Sequence, residues 1–314
     1  MKLIIQVPCY NEENTLPMTL KDLPKTIPGI DTIETLIVND GSSDGTVRVA
    51  EKEGVDHILN LPAHKGLAEA FKRGLERALE LGADIIANTD GDNQYHGEDI
   101  TKLVKPILEK KAEIVIGCRD IFSIKHFSLC KKILQKMGSR VVNSLAKTDI
   151  PDATSGFRAY AREAAFKINI FSTYTYTLET LIQAGRKEIP MASVSIRTNE
   201  KLRESRLIKN ILSYIIRSAA TMMRIYLMYE PLKTFFKVSL IFVLPGIFLI
   251  SRFLYFSITT GRSGHVQSLV IASVLVIMGF GIMVIGLLGE IIAANRKLNE
   301  EILYKLRRSK LEKL

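Results

Sequence analysis

Hydrophobic and polar positions along residues 1–200 follow two alternating patterns. Short runs rich in Ile, Val and Leu are separated by stretches with the 3.6-residue spacing of amphipathic helices. The runs predict five strands, at 3–7, 34–38, 57–61, 84–88 and 113–116. The stretches between them predict four helices, at 15–23, 46–53, 67–81 and 98–109. This alternation is typical of parallel strands joined by helical crossovers, so residues 1–200 are predicted to form an α/β domain with a mainly parallel sheet.

Two long apolar runs follow this domain. Residues 238–258 are interrupted only by Arg252, and residues 266–289 carry no charged side chain. About 20 helical residues match the roughly 30 Å apolar thickness of a bilayer. The runs therefore predict two membrane spans, at 235–258 and 266–289. The alternative is a pair of helices buried in the core of a soluble protein.

Basic residues concentrate beside these runs. Residues 1–200 carry 26 basic and 27 acidic side chains, whereas 201–237 carry 8 and 2 and 295–314 carry 7 and 3. Because the net charge of +10 flanks apolar segments, it indicates a membrane protein rather than a nucleic-acid binder. The positive-inside rule predicts a cell-membrane protein with the domain of residues 1–200 and both termini in the cytoplasm.

Two further segments have helical patterns. Residues 201–234 are predicted to form an amphipathic helix at the membrane surface, with an ordinary core-packed helix as the alternative. Its basic face would carry Arg206, Lys209, Arg217 and Arg224. Residues 290–314 are predicted to form a charged cytoplasmic helix, a candidate surface for homo-oligomer formation, with one apolar side. That side would carry Leu298, Ile302 and Leu306.

Polar clusters follow the first four predicted strands. They lie at 8–13, 39–44, 64–66 and 90–94. Ligands of open α/β sheets bind beyond the carboxyl ends of the strands, so these clusters predict one shared site.

The second and third clusters have features suited to a nucleotide. Glycines in 39–46 permit a tight turn, and the carboxylate of Asp40 is suited to hydrogen-bonding a nucleoside. Asp44 and Thr46 are explained equally well as the start of the next helix. Lys65 lies at the start of a predicted helix, where a cation suits a phosphate; a plain exposed lysine is the alternative.

The fourth cluster predicts a metal site. Asp90, Asp92 and Gln94 offer the hard oxygen ligands that Mg²⁺ or Mn²⁺ prefers, although a solvated turn also uses such residues. The five histidines have no zinc-ligand spacing, and the three cysteines form no Cys-x-x-Cys pair. A divalent cation here would neutralise charge on a departing nucleoside diphosphate.

Taken in order along residues 1–200, these motifs resemble glycosyltransferase family 2. Within it the chain is similar to the polyprenyl-phosphate glycosyltransferases of the dolichol-phosphate mannose synthase type with two spans. The matching motifs are Pro8-Cys9-Tyr10-Asn11-Glu12-Glu13, Val38-Asn39-Asp40-Gly41-Ser42-Ser43-Asp44-Gly45-Thr46, Asp90-Gly91-Asp92-Asn93-Gln94, Gly117-Cys118-Arg119 and Ser155-Gly156-Phe157-Arg158-Ala159-Tyr160.

The resemblance implies a GT-A fold and a role for each matching residue. The nucleotide-sugar ligands would be Pro8, Tyr10, Glu12, Asp40, Lys65 and Asp90. The metal ligands would be Asp90, Asp92 and Gln94. The acceptor-phosphate ligands would be Arg119, Ser139 and Arg158, with Lys131, Lys132 and Arg140 as further candidates. Many relatives have Asp where this chain has Asn39, which leaves the contact with the base open.

The implied reaction is inverting transfer of a hexose from a UDP- or GDP-linked sugar to a dolichyl or undecaprenyl phosphate at the cytoplasmic membrane face. Asp92 and Arg119 would be its catalytic residues. A processive polysaccharide synthase is an alternative, but that branch uses a Gln-x-x-Arg-Trp motif and this chain has no Trp. A non-catalytic membrane scaffold that binds nucleotide sugars is a second alternative.

Overall fold

The computed structural model describes residues 1–119, 129–171, 176–199, 211–260 and 266–311, without the side chains of 129–137, 211–215, 217, 218, 260 and 311. It divides into two compact units. Met1–Met222 and Tyr304–Leu314 form the first, and Met223–Leu303 form the second.

A seven-stranded sheet is the centre of the first unit. Its strands are β1 Lys2–Cys9, β2 Thr32–Asn39, β3 His57–Asn60, β4 Ile85–Asn88, β5 Ile114–Arg119, β6 Arg158–Ala161 and β7 Met191–Ile196. Their spatial order is β3-β2-β1-β4-β6-β5-β7. Strand β6 runs antiparallel to β4 and β5, and the other neighbours are parallel. The predicted α/β fold with a mainly parallel sheet is confirmed.

Helices cover both faces of this sheet. They are α1 Leu16–Asp22, α2 Thr46–Lys52, α3 Leu67–Glu80, α4 Ile100–Leu108, α5 Leu129–Ala146, α6 Arg162–Lys167 and α7 Thr177–Arg186. Side chains of β1 alternate between the faces, so Leu3 and Ile5 join the core that holds Leu103 of α4, while Gln6 faces α3. The sheet core is almost entirely aliphatic, as expected for strands buried on both sides.

Strands β6 and β7 were not predicted. Strand β6 has only four residues, so pairing with distant strands defines it rather than a local pattern. Strand β7 has a short alternation, in which Ala192, Val194 and Ile196 pack against the core while Ser193 and Ser195 are exposed.

Three helices follow β7. They are α8 Ile211–Tyr229, which crosses the division between the units, α9 Pro231–Thr260 and α10 Val266–Leu311. Within the second unit, α9 and α10 form an antiparallel pair. A Cβ on Gly279 would lie 2.4 Å from a methyl group of Val243, and one on Gly246 would lie 2.8 Å from a methyl group of Val276. The absence of a side chain at these glycines lets the two backbones approach closely.

The outer surfaces of α9 and α10 are apolar. Ile241, Phe248 and Ile277 are each about two-thirds exposed, and both helices are long and apolar enough to cross a membrane. Helices in a soluble core would bury such residues, so the alternative of two buried core helices does not fit this structure. Helix α10 continues without a break past residue 289, where the sequence predicted the end of the second span and the start of a separate charged helix.

Candidate functional site

The predicted site residues lie at one edge of the sheet. Pro8 is near the carboxyl end of β1, Asp40 follows β2, and Asp90 follows β4. Arg119 ends β5, which runs parallel to β4, while Arg158 begins the antiparallel β6. The strand directions therefore bring residues from five segments to the same edge, as expected for a ligand site in an open α/β sheet.

Hydrogen bonds join the loop after β1 to the loop after β2. The backbone N–H of Asn11 donates to Oγ of Ser42 at 3.0 Å, and Oδ1 of Asn11 accepts the N–H of Ser43 at 2.8 Å. Asn11 has a φ of 56°, a left-handed conformation that asparagine tolerates better than most residues. The backbone N–H of Glu12 donates to Oγ1 of Thr46 at 2.8 Å. These bonds fix the two loops in one arrangement.

Asp40 joins the loop after β2 to the start of α3. Its Oδ1 and Oδ2 accept the backbone N–H groups of Lys65 and Gly66, each at 2.8 Å, and its side chain is only 3% exposed. Gly41 has a φ of 67°, and a Cβ there would lie 2.6 Å from the backbone of Ala63 and His64. Asp40 therefore has a structural role that the sequence did not reveal. Its predicted contact with a nucleoside stays a prediction.

Two aromatic rings pack beside Asp40. The rings of Tyr10 and His64 are stacked, with centroids 3.8 Å apart and an interplanar angle of 21°. Nδ1 of His64 lies 2.8 Å from Oδ2 of Asp40. Lys65, the next residue, is exposed. The predicted nucleoside-binding residues Tyr10 and Asp40 are thus brought together, and the structure adds His64 to them.

Asp44 has the helix-starting role that the sequence allowed. Its Oδ1 accepts the backbone N–H of Thr46 at 3.0 Å, and Oδ2 accepts that of Glu13 at 3.2 Å. Burial would raise the pKa of Asp44, but these hydrogen bonds outweigh it and lower the pKa.

The loop after β1 also contacts the loop after β4. Oε2 of Glu12 accepts the hydroxyl of Thr15 at 2.7 Å, and the same hydroxyl lies 2.9 Å from the carbonyl oxygen of Gly91. A Cβ on Gly91 would lie 2.9 Å from Sγ of Cys9. Glycine at this position lets the Asp90–Gln94 loop lie directly against the loop after β1.

The carboxylate of Asp90 rests against Gly156. A Cβ on Gly156 would lie 3.3 Å from both carboxylate oxygens of Asp90 and 2.9 Å from Oη of Tyr176. Oη of Tyr176 accepts from Asn88 at 2.9 Å, and its ring stacks on a neighbouring aromatic ring. Because that phenol is held in place, a side chain at 156 would press against both the phenol and the Asp90 carboxylate.

Oxygen atoms suited to a divalent cation gather at this loop. Asp90, Asp92 and Gln94 are all half-buried, and the backbone N–H of Gln94 donates to Oδ1 of Asp92 at 3.3 Å. Among the described residues, no group of three or more His, Cys, Asp or Glu side chains is placed to hold a metal. Two carboxylates and one amide leave coordination positions for diphosphate and water oxygens, which fits Mg²⁺ or Mn²⁺ better than a fully protein-enclosed ion.

Arg119 forms an ion pair that the sequence did not predict. Its Nε donates to Oδ2 of Asp152 at 2.7 Å, and its Nη2 donates to Oδ1 of Asp152 and to Oγ1 of Thr154, both at 3.2 Å. Burial would raise the pKa of Asp152, but the charge and hydrogen bonds of Arg119 lower it. The guanidinium carbon also lies 5.9 Å from the ring centre of Tyr95, whose pKa burial raises to about 12. Arg119 is therefore held at the site edge by a carboxylate and a ring.

Arg158, which the resemblance implied as an acceptor-phosphate ligand, is buried. It is 1% exposed and donates to the carbonyl oxygens of Ala153, Ser155 and Thr177 at 2.8–2.9 Å. Its Nη1 also donates to Oγ1 of Thr180 at 2.8 Å. Contact between Arg158 and an acceptor phosphate stays an untested prediction, and this buried, fully engaged guanidinium weighs against it.

Of the other acceptor ligands that the resemblance implied, Ser139 is buried and Arg140 lies at the surface. Ser139 is 3% exposed, and its Oγ accepts the backbone N–H of Ala153 at 3.3 Å, so it supports the loop before β6. Arg140 is exposed. The side chains of Lys131 and Lys132 lie outside the described residues.

Four residues of this region were not identified from the sequence: Asp152, Tyr95, Gly156 and Tyr176. Asp152 and Gly156 lie in or beside the Ser155–Tyr160 motif, which was the only local signal for them. Tyr95 directly follows the Asp90–Gln94 cluster, and its Oη accepts the backbone N–H of Gly156 at 3.2 Å. The contacts of these residues join segments 33 to 88 residues apart, so spacing along the chain does not reveal them.

Two proteins with similar sequences act on polyprenyl phosphates according to their names. The chain is 30% identical over 177 residues to the undecaprenyl-phosphate mannosyltransferase of Micrococcus luteus, covering 54% of this chain and 70% of that protein. It is 29% identical over 220 residues to a UDP-N-acetylglucosamine–dolichyl-phosphate N-acetylglucosaminyltransferase of Methanococcus voltae, covering 61% and 83%.

A solved structure has a similar fold. Glucosyl-3-phosphoglycerate synthase from Mycobacterium tuberculosis, in complex with Mn²⁺, UDP and phosphoglyceric acid, aligns with a TM-score of 0.56 at 18% identity, covering 70% of this chain and 78% of that one. At this identity the likeness shows the fold, which is of the GT-A type.

The family model described as Glycosyl transferase family 2 matches residues 4–168, a segment that contains all the predicted site residues. Since that segment is more than half of the 314 residues, the chain belongs to glycosyltransferase family 2 and is a glycosyltransferase.

Proposed function

We propose that this glycosyltransferase transfers one hexose from a nucleotide sugar to a polyprenyl phosphate at the cytoplasmic face of a membrane. The observation that carries the proposal is the pair of apolar helices α9 and α10, whose outward side chains suit lipid rather than water. A catalytic unit attached to a membrane is suited to an acceptor that is itself a lipid. The names of the two relatives, a mannosyltransferase and an N-acetylglucosaminyltransferase acting on such phosphates, support this acceptor class.

The donor is proposed to bind across the loops that follow β1, β2 and β4. Tyr10, Glu12 and Asp40 would hold the nucleoside beside Pro8, and Lys65 would lie close to the diphosphate. Asp90, Asp92 and Gln94 would hold Mg²⁺ or Mn²⁺, which supplies positive charge to the diphosphate oxygens. The carboxylates that suit a cation are thus expected to lie beside the leaving group.

The reaction requires a single displacement. An oxygen of the acceptor phosphate forms a bond to the anomeric carbon while the bond from that carbon to the diphosphate breaks, and the electron pair leaves with the nucleoside diphosphate. Attack opposite the leaving group inverts the configuration. Phosphate monoesters have a second pKa of about 6 and are largely dianionic at neutral pH, so no strongly tuned general base is needed.

Arg119 is proposed to orient the acceptor phosphate rather than to attract it strongly. Asp152 already compensates its charge through two hydrogen bonds, and only 10% of its side chain is exposed. A guanidinium held this rigidly loses little freedom when a phosphate approaches, which favours orientation of the acceptor over strong attraction. Arg140, which is exposed, is a candidate for the remaining phosphate contact.

The decisive experiment supplies donors and lipid acceptors to membranes that contain the full chain. Radiolabelled GDP-mannose, UDP-N-acetylglucosamine and UDP-glucose are each incubated with undecaprenyl or dolichyl phosphate, with Mn²⁺, Mg²⁺ or a chelator. We expect one donor to give labelled lipid only when a divalent cation is present. A labelled polymer would instead indicate a processive synthase, and the absence of any labelled lipid would contradict transfer from these donors to a polyprenyl phosphate.

Membrane topology is a second part of the proposal. Helices α9 and α10 would form two spans, with both large ends in the cytoplasm and the segment that includes α8 at the membrane surface. Arg224 and Met223 of α8 are exposed, whereas residues 201–210 of the predicted surface helix lie outside the described residues. Protease added to intact cells should leave the catalytic unit whole, and cleavage of that unit would contradict this topology.

A further inference from the structure

The chain directly after β7 pairs with the loop after β4. The backbone N–H of Asn199 donates to the carbonyl oxygen of Gln94 at 3.0 Å, and that of His96 donates to the carbonyl oxygen of Arg197 at 3.4 Å. The residues between these two contacts form an antiparallel bridge. Residues 197–199 therefore lie alongside the loop that contains the proposed metal ligands, although the two segments are far apart in the sequence.

Arg197 anchors this segment to the start of α4. Its backbone N–H donates to Oδ2 of Asp99 at 2.7 Å, and its Nε and Nη2 donate to Oδ1 of Asp99 at 3.0 and 2.7 Å. Asp99 is 1% exposed and immediately precedes α4. A buried carboxylate that accepts three hydrogen bonds from one residue fixes that residue in place. Asn199, two residues further along the chain, is thereby held against the loop.

The side-chain amide of Asn199 contacts the loop directly. Its Nδ2 donates to Oδ1 of Asn93 and to the carbonyl oxygen of Tyr95, both at 3.3 Å. It also donates to Oδ2 of Asp22, the last residue of α1, at 3.0 Å. An amide nitrogen carries two hydrogens, so one of them is shared between two acceptors. One side chain thus joins the loop after β4 to the end of α1.

Asn93 is the residue on which this contact acts. It has a φ of 55°, a left-handed conformation that costs free energy for residues other than glycine and persists where surrounding contacts hold it. It lies between Asp92 and Gln94, two of the proposed metal ligands. A change in its backbone angles would turn these two side chains relative to each other, so the contact with Asn199 affects both.

We propose that Asn199 is a positioning residue for the divalent cation. It acts through Asn93 and the backbone of Gln94, so that the oxygens of Asp92 and Gln94 stay arranged for the ion, and it does not touch the ion itself. This inference rests on the proposed function, which places Mg²⁺ or Mn²⁺ at this loop. It assigns a role in metal affinity to a residue outside the motifs from which the family was identified.

The test compares four variants of the full-length protein purified in detergent. Asn199→Ala removes the amide, and Asn199→Ser removes it while keeping a small polar side chain. Asn199→Gln keeps an amide with two N–H groups on a longer side chain. Thr198→Ala is the matched control, because Thr198 is exposed and the pairing of the two segments uses backbone atoms.

Electron paramagnetic resonance measures the Mn²⁺ that stays free in solution, and it gives the Kd for the ion independently of catalysis. Mn²⁺ is titrated alone and with UDP or GDP, and solutions without protein correct for Mn²⁺ bound by the nucleotide. We expect Asn199→Ala and Asn199→Ser to raise the Kd about tenfold and Asn199→Gln less than about threefold, because contacts that orient metal ligands are typically worth 10- to 100-fold in affinity. The Kd of Thr198→Ala should equal that of wild type. Thermal unfolding in the presence of a chelator verifies that each variant is folded.

The outcomes separate this inference from the proposal beneath it. A wild-type Kd in folded Asn199→Ala or Asn199→Ser, whatever the unfolding temperature, would make Asn199 a purely structural residue and overturn its positioning role. A tenfold rise in Asn199→Gln or in Thr198→Ala would show that the amide is not the effective group, which overturns it as well. If folded wild type bound no Mn²⁺ under any of these conditions, the proposed metal site would be wrong and the Asn199 inference would fail with it.

Discussion

The carboxylate of Asp152 accepts hydrogen bonds from Nε and Nη2 of Arg119, at 2.7 and 3.2 Å, in a bidentate ion pair. The Asp152 side chain is fully buried and that of Arg119 is 10% exposed. The pair joins the end of β5 to the loop that precedes β6. It fixes the Arg119 guanidinium at the site edge. The charge of Arg119 is compensated there by a residue outside the matching motifs.

Removal of the Asp152 charge should destabilise the catalytic unit. Asp152→Asn leaves the Arg119 guanidinium buried without a counter-ion, and loss of one partner of a buried pair costs about 3–5 kcal/mol. Denaturant unfolding of the full-length protein measures the change. Asp149→Asn, an exposed carboxylate three residues away, should change stability by less than about 0.5 kcal/mol. Equal effects of the two substitutions would show that the pair contributes no net stability.

The same pair predicts a dependence of stability on pH. The pKa of Asp152 is lower in the folded than in the unfolded protein, where it is about 3.9. Its stabilising contribution is therefore complete above about pH 4 and disappears as the pH falls through the lower, folded pKa. The stability difference between wild type and Asp152→Asn should shrink below pH 4. A difference that stayed constant from pH 6 to pH 3 would argue against the lowered pKa.

Arg158→Lys should reduce stability rather than acceptor affinity. The guanidinium serves four acceptor atoms that are distributed around it, and an ammonium group cannot reach all of them. Each buried acceptor left without a donor costs about 1–3 kcal/mol. Unfolding and the KM for polyprenyl phosphate are measured on the same preparations. Unchanged stability with a raised acceptor KM would restore the acceptor role expected from the sequence.

Gly156→Ala should impair use of the metal. The added Cβ would lie 3.3 Å from both carboxylate oxygens of Asp90, which must then shift. We expect the Mn²⁺ concentration for half-maximal activity to rise about tenfold, since supporting contacts of metal ligands are typically worth 10- to 100-fold in affinity. Gly138→Ala is the control, because a Cβ at Gly138 meets no atom within 4 Å. The same metal dependence in both variants would mean that Asp90 does not bind the cation.

Asp92→Asn should abolish most activity in a protein that still folds. The change removes one carboxylate charge beside the proposed diphosphate, and loss of one electrostatic contact of this kind lowers kcat by about 100-fold or more. Asp84→Asn is the control, since Asp84 immediately precedes β4 and binds the backbone N–H of Lys2 at the opposite edge of the sheet. Transfer of radiolabelled sugar is the readout. Wild-type turnover by Asp92→Asn would exclude Asp92 from the metal site.

Local sequence patterns were sufficient for strands β1–β5 and helices α1–α4. The five predicted strands and four predicted helices agree with the observed ones to within three residues at each end. A nearly continuous apolar run identified β1, and helical periodicity identified α3, whose buried side chains recur every three to four residues. Strand β6 lacks such a signal because it has only four residues and lies antiparallel between β4 and β5. Strand β7 has only a short alternation of buried and exposed residues, which was missed.

The candidate site was predicted less completely than the fold. Polar residues at strand ends identified Tyr10, Asp40 and Asp92, since parallel strands bring their carboxyl ends together. The resemblance implied that Arg158 contacts the acceptor phosphate, and a sequence cannot show whether a guanidinium faces solvent or the protein interior. Asp152 contacts Arg119, and Gly156 lies against Asp90. Both contacts depend on the pairing of β6 with β4 and β5, which no short-range pattern in the sequence encodes.

The hydrogen bonds among the loops after β1, β2 and β3 have a thermodynamic consequence. Asn11 and the Asp40 carboxylate restrict these loops before any nucleotide arrives. Their loss of conformational entropy is incurred when the chain folds, so it does not reduce the free energy of association. A preorganised edge of this kind is expected to bind with little rearrangement and to favour rapid capture of the donor.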